Sequence, residues 1–256
     1  MRISINNRVL RQMTAPRLRR MGIIVLLLTG LFLVHALGTA PAGKNKQHVQ
    51  RTVQGTLGRP ASTLMNINNI AMWVKDDGGM ERNPATTNAG TTYPRGTSTF
   101  VYAGGLIWGG VVEDGAAPKL RVGGQTYNYG TVPGRIVSKG VKESADKPDV
   151  RVYRIRRDWK TADLSRDAAE FFDKPLSQVS ADDIAQIRAQ YKKDWVEWPS
   201  EKGAPYYDRD GNNRYDPDPS GNYDPTKDEP GLGGADQVVW LVANDLDASA
   251  ARGLYG

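Results

Sequence analysis

Apolar and polar residues alternate with period two in several short stretches of this chain and recur at helical spacing only in its middle. Ile70, Met72 and Val74 alternate with Ala71 and Trp73, which predicts a strand, and Asp76-Asp77-Gly78-Gly79 ends it. The stretch Ser98–Val112 predicts two strands bent or bulged at the paired glycines Gly104 and Gly105. Leu120-Arg121-Val122, turned by Gly123-Gly124 into Gln125–Tyr129, reads as a hairpin. Ile136 and Val137 add a short segment, and Val150–Ile155 another strand. Gln237–Ala243 is apolar on both faces, so it is expected to be central and buried.

Two helices are expected between these groups of strands. Leu164, Ala168 and Phe171 recur at helical spacing and stop before Pro175. A stronger helix begins at Ser180, a good N-cap, with Asp182 and Asp183 in the first turn to favour the dipole. Ile184, Ile187, Tyr191, Trp195 and Trp198 form its apolar stripe, and Pro199 closes it. At that spacing the aromatic residues read as core rather than as a carbohydrate platform. The fold class that follows is α+β and β-rich, with sandwich-like antiparallel sheets and a two-helix insertion. Its domain runs 63–256, with the helical insertion at 162–199 and a turn-rich acidic loop at 206–234.

The amino terminus changes the reading of charge. Arg2, Arg8, Arg11, Arg17, Arg19 and Arg20 precede an apolar run from Gly22 to Leu37, and Ala40-Pro41-Ala42 fits a small-residue cleavage site. That order marks residues 1–42 as a signal peptide, with a flexible lead-in at 43–62. An uncleaved anchor is the alternative, although the run is about 16 residues and a span needs roughly 20. The whole chain carries +6, but its 34 basic residues less the leader's six equal its 28 acidic ones. The basic character therefore belongs to the leader, and no nucleic-acid surface is expected. Contact with a membrane is expected only through the leader, if it stays uncleaved. There is no cysteine, so an exported domain would lack disulfides and rely on its core.

The chemistry open to the chain is narrow. Its only histidines are His35, in the leader, and His48, in the lead-in. A zinc-protease site or a Ser-His-Asp or Cys-His catalytic set is therefore not expected. The glycine-rich run near Gly104 lacks the Lys-Ser/Thr and the helix of a phosphate-binding loop. Paired carboxylates for glycoside hydrolysis stay open. The acidic loop points elsewhere. Asp208, Asp210 and Asn212 stand at alternate positions, as the first ligands of a calcium loop do. The carbonyl of Arg214 is a fourth candidate, and Asp216 or Asp218 would complete the shell. Gly211 stands fourth and Asn213 sixth, where an EF-hand has its glycine, so Asn213 must accept a left-handed conformation. The alternative is a solvated turn in which these side chains cap their own backbone.

One family resemblance rests on particular residues. Trp198-Pro199, Gly203-Ala204-Pro205-Tyr206, Asp208-Arg209-Asp210-Gly211, Tyr215, Gly234, Asp236-Gln237, Trp240 and Asn244-Asp245 resemble a recurring segment of long secreted bacterial proteins. Many of these end in type IX secretion sorting or immunoglobulin-like domains. Tyr93-Pro94-Arg95-Gly96, Gly105–Gly110 and Leu120–Gly124 resemble their opening strands. The resemblance implies an exported surface or secreted module with no established activity, and a chain expected to continue past Gly256. Two readings stay open: a non-catalytic structural or adhesion-type module, and a carbohydrate-binding or carbohydrate-active domain using aromatics such as Trp108, Tyr127 and Tyr129. Other surface proteins or glycans would be the partners.

Overall fold

The computed structural model describes residues 61–113, 115, 117, 119–125 and 130–247. The leader, nearly all of the lead-in, Tyr127, Tyr129 and the last nine residues lie outside that set. Two α-helices, α1 (Ser165–Phe171) and α2 (Ala181–Val196), are present among the described residues. The start of α2 is where its sequence places it. The Ser180 hydroxyl accepts the Asp183 N–H at 3.1 Å, and the Asp183 carboxylate accepts the Ser180 N–H at 2.9 Å, a reciprocal cap. Lys174 adds a 2.7 Å ion pair to the same carboxylate. That pair, together with the backbone bond from Ser180, holds the Asp183 carboxyl down at about 2.

The stripe on α2 supplies the core. Ile187, Tyr191, Trp195 and Trp198 are buried with Tyr153, Ile155, Trp159, Leu164, Ala168 and Ala204. Burial of each large apolar side chain contributes about 1.5–3 kcal/mol. The helical segment thus supplies much of the packing. A smaller cluster of Leu64, Ala71 and Trp73 packs on Phe171 of α1, whose ring centroid is 5.7 Å from that of Trp73.

The strands are antiparallel and the fold is β-rich α+β. They come as seven two-stranded pairs among the described residues, not as two large stacked sheets. Tyr153–Arg156 pairs with Gln237–Trp240, Tyr153 opposite Trp240. Gln237–Trp240 therefore has one strand neighbour and is only half-buried, contrary to the central position its apolar run suggests. Its polar first residue is put to use: the Gln237 side chain accepts the Asn66 N–H at 2.8 Å and donates to the Tyr191 hydroxyl at 3.0 Å. Ser62–Met65 forms an unforeseen strand against Met72–Lys75, with Leu64 opposite Trp73. Leu120–Gly124 pairs with Ile107–Val111, and residues 126–129 of the expected forward strand lie outside the described residues. Ile107, Val111, Leu120 and Val122 share one face of that pair and remain exposed. The Gln125 side chain accepts the Gly130 and Thr131 N–H groups.

Two arginines interrupt the expected alternation of Val150–Ile155. Arg151 and Arg154 are both buried. Asp194 of α2 pairs with the Arg151 guanidinium and accepts the Arg154 N–H at 2.9 Å. The Arg154 guanidinium donates to the Leu64 carbonyl at 3.1 Å and lies 4.5 Å from the centre of the Tyr191 ring. Such charges are tolerated inside only when paired and hydrogen-bonded.

Candidate metal centre

Tyr206–Tyr207 pairs antiparallel with Glu229–Pro230 and so closes the acidic loop 208–228 at its base. The Tyr206 ring packs edge-on against Tyr215 at 5.5 Å. The Tyr215 hydroxyl donates to the Trp195 carbonyl, which pins the middle of the loop to α2. Burial, then the charges of Asp228 and Glu229, push the Tyr215 hydroxyl well above the ordinary phenol range, so it stays a donor.

Within the loop the chain wraps around Asp208. One oxygen of its carboxylate accepts the N–H groups of Gly211 and Asn212 at 2.8 and 3.1 Å; the other accepts that of Asn213 at 2.8 Å. Asp210 accepts the backbone N–H of Asn212 at 3.0 Å and its side-chain amide at 2.9 Å. The wrap requires two left-handed residues, Gly211 at φ 73° and Asn213 at φ 59°. Asn213 meets the demand that its position imposed.

The third carboxylate comes from the far end of the loop. Asp228 is buried and accepts the N–H groups of Arg209 at 2.8 Å and Asp216 at 3.0 Å. Oxygens of Asp208, Asp210 and Asp228 all lie within 4.8 Å of one another. Three carboxylate oxygens so placed could hold one metal ion.

The electrostatics are those of crowded anions. Burial alone would raise the Asp228 carboxyl, but the two backbone donors outweigh it and hold the group below the usual carboxylate range. Asp216 is pushed up, first by its hydrogen bond with Asp228, then by burial and by the charges of Asp210 and Asp228. Arg157 and Arg209 are drawn to Glu229, at 2.6 and 3.0 Å. Among the described residues no cationic side chain pairs with Asp208, Asp210 or Asp228.

No family model, curated protein or solved structure matches this chain.

The structure brings together some of the expected ligands and separates others. Asp208 and Asp210 converge, and Asp216 sits beside Asp228. The side-chain oxygen of Asn212 accepts the Arg214 N–H at 2.7 Å, and its amide nitrogen faces Asp210 and Asp216. Asp218 stands in a separate turn, accepting the N–H and hydroxyl of Ser220 at 2.8 and 2.9 Å. Asp228 was not foreseen. It adjoins Glu229, whose pairing with Tyr207 brings the far end of the loop back beside Asp208. Of the aromatics considered for glycans, Trp108 is half-exposed on its hairpin, and Tyr127 and Tyr129 lie outside the described residues. No helix among the described residues is long and apolar enough to cross a membrane.

Proposed function

We propose that this chain is a non-catalytic structural or adhesion-type module, exported to the cell surface or beyond, whose acidic loop is ordered by calcium. Support for export comes from the basic, apolar and small-residue order of residues 1–42. The observation that carries the calcium reading is the convergence of Asp208, Asp210 and Asp228 at ion-binding spacing, with no cationic side chain paired to them. Seven acidic residues between Asp208 and Glu229 face three basic ones, so the loop gains most from a bound cation.

Asp208 and Asp210 would hold the ion from the start of the loop and Asp228 from its end, with Asp216 beside it. The ion would thereby tie the loop's two ends together. Extracellular modules bind calcium at about 10⁻⁴–10⁻³ M. At tenfold that concentration, binding stabilises the fold by about 1.4 kcal/mol. Thermal unfolding of the exported chain in calcium and in chelator tests this. A rise of about 3–5 °C with calcium, absent in the double variant Asp208→Ala/Asp210→Ala, is expected. A melting temperature indifferent to both calcium and chelator would leave a solvated turn.

A further inference from the structure

A groove of about 640 Å³ lies between α1, the turn after it, and the strands Thr91–Thr92 and Thr99–Val101. Its size is that of small-ligand sites, roughly 300–1,000 Å³. Leu64, Ala71 and Trp73, all buried, form its apolar lining, and Asn83, Thr92, Thr99, Arg166 and Asp173 supply its polar lining.

Most charges at the rim are already committed. Arg95 is held in a fork by Glu170, at 2.9 and 2.8 Å, and Lys174 is held by Asp183 at 2.7 Å. Arg166 is not committed in this way. One of its terminal nitrogens donates to the Arg95 carbonyl at 3.2 Å, which orients the guanidinium. Its other donors have no partner among the described residues, and Arg166 is exposed. Asp173 is exposed too, with no partner for its carboxylate, and it stands at φ 51° just past the end of α1. Among the described residues no ion pair joins Arg166 to Asp173.

The remaining polar groups are neutral. The Asn83 side-chain oxygen accepts the Ala85 N–H at 2.8 Å, which leaves its amide nitrogen free to donate. Thr92 and Thr99 sit opposite each other on their strand pair, each with a hydroxyl that donates and accepts. The loop carrying Asn83 is held in an uncommon conformation, with Glu81 at φ 71° and the β-branched Thr87 at φ 60°. Conformations of this kind persist where the surroundings enforce them, and they gather at binding sites.

We propose that this groove binds an acidic saccharide, a hexuronate or a short chain of them. Its carboxylate pairs with the free donors of Arg166, the match that a planar guanidinium makes best. Its ring hydroxyls donate to Asp173 and exchange hydrogen bonds with Asn83, Thr92 and Thr99. A neutral sugar would leave the guanidinium without an anion. A zwitterionic tripeptide would match the two charges but not the neutral hydroxyls.

Calorimetric titration of the full chain, with chelator present to exclude calcium bridging, tests the proposal. The probes are trigalacturonate, neutral galactotriose and trialanine. Trigalacturonate is expected to bind at least tenfold more tightly than galactotriose. That margin is expected to vanish in Arg166→Ala and Arg166→Gln, which are exposed changes checked for folding by circular dichroism. Asp173→Asn is expected to weaken both sugars. Equal binding of the acidic and neutral sugars, undiminished trigalacturonate binding in both Arg166 variants, preference for trialanine, or no saccharide binding at millimolar concentration would each overturn it.

Discussion

Asp208 and Asp228, twenty positions apart in sequence, flank the paired residues Tyr207 and Glu229, and their carboxylate oxygens lie within 4.8 Å of each other. An ion held between them would close the loop where its two ends already meet. Asp228→Asn is therefore expected to abolish any calcium-dependent rise in melting temperature. It should also cost about 1–2 kcal/mol without calcium, since the amide cannot accept both the Arg209 and Asp216 N–H groups as the carboxylate does. Asp218→Asn, in its separate turn, is expected to leave the calcium response intact. Thermal scans of the two variants side by side make the comparison, and equal responses would count against Asp228 as a ligand.

Asp194 joins α2 to the strand Tyr153–Arg156 through the Arg154 N–H and the Arg151 guanidinium. Asp194→Ala leaves a buried arginine without its closest anion, and a loss of about 3–5 kcal/mol is expected. Asp194→Asn, which keeps an acceptor for the Arg154 N–H, should lose less. Urea denaturation of both variants measures the order, and an alanine variant as stable as the parent would refute it.

Stability should depend on acid through the cap of α2. The Asp183 carboxyl falls from an unfolded value of about 3.9 to about 2, chiefly through Lys174 and then Ser180. A depressed carboxyl of this kind contributes stability that is present above about pH 4 and lost as the pH falls through about 2. With Lys174 partly exposed, the contribution is about 1–2 kcal/mol. Asp183→Asn is expected to lower stability by that amount at neutral pH and to flatten the decline between pH 4 and 2. Denaturation midpoints across that window would show it.

Gly90 is confined by backbone on one side and Trp73 on the other. A Cβ there would lie 2.5 Å from the Asn83 nitrogen, 2.6 Å from the Glu81 carbonyl oxygen and 2.8 Å from Trp73. Gly90→Ala is expected to destabilise the fold by about 2–3 kcal/mol, because main chain must move to admit the methyl group. Gly110→Ala, where a Cβ meets nothing within 4 Å, is the matched control, and its cost should stay below about 1 kcal/mol.

Local chemistry determined what the sequence alone could determine. The start of α2, its cap and its buried stripe followed from Ser180, Asp183 and the spacing of Ile187, Tyr191 and Trp195, since a helix is built from contacts three and four residues apart. The β-rich character and the left-handed Asn213 were legible for the same reason: alternation and turn demands act over a few residues. Tertiary structure decided the partners. Strands of two to five residues carry too few alternations to specify a mate, so Leu120–Gly124 returning to Ile107–Val111 and Tyr153 meeting Trp240 could not be read off. The burial of Arg151 and Arg154 was not legible because the acceptors that permit it, Asp194 and the Leu64 carbonyl, lie some forty and ninety residues away. Asp228 joined Asp208 and Asp210 on the same terms. A carboxylate becomes a candidate ligand through what folding brings within a few ångströms of it, and only the closing strand pair brings these three together.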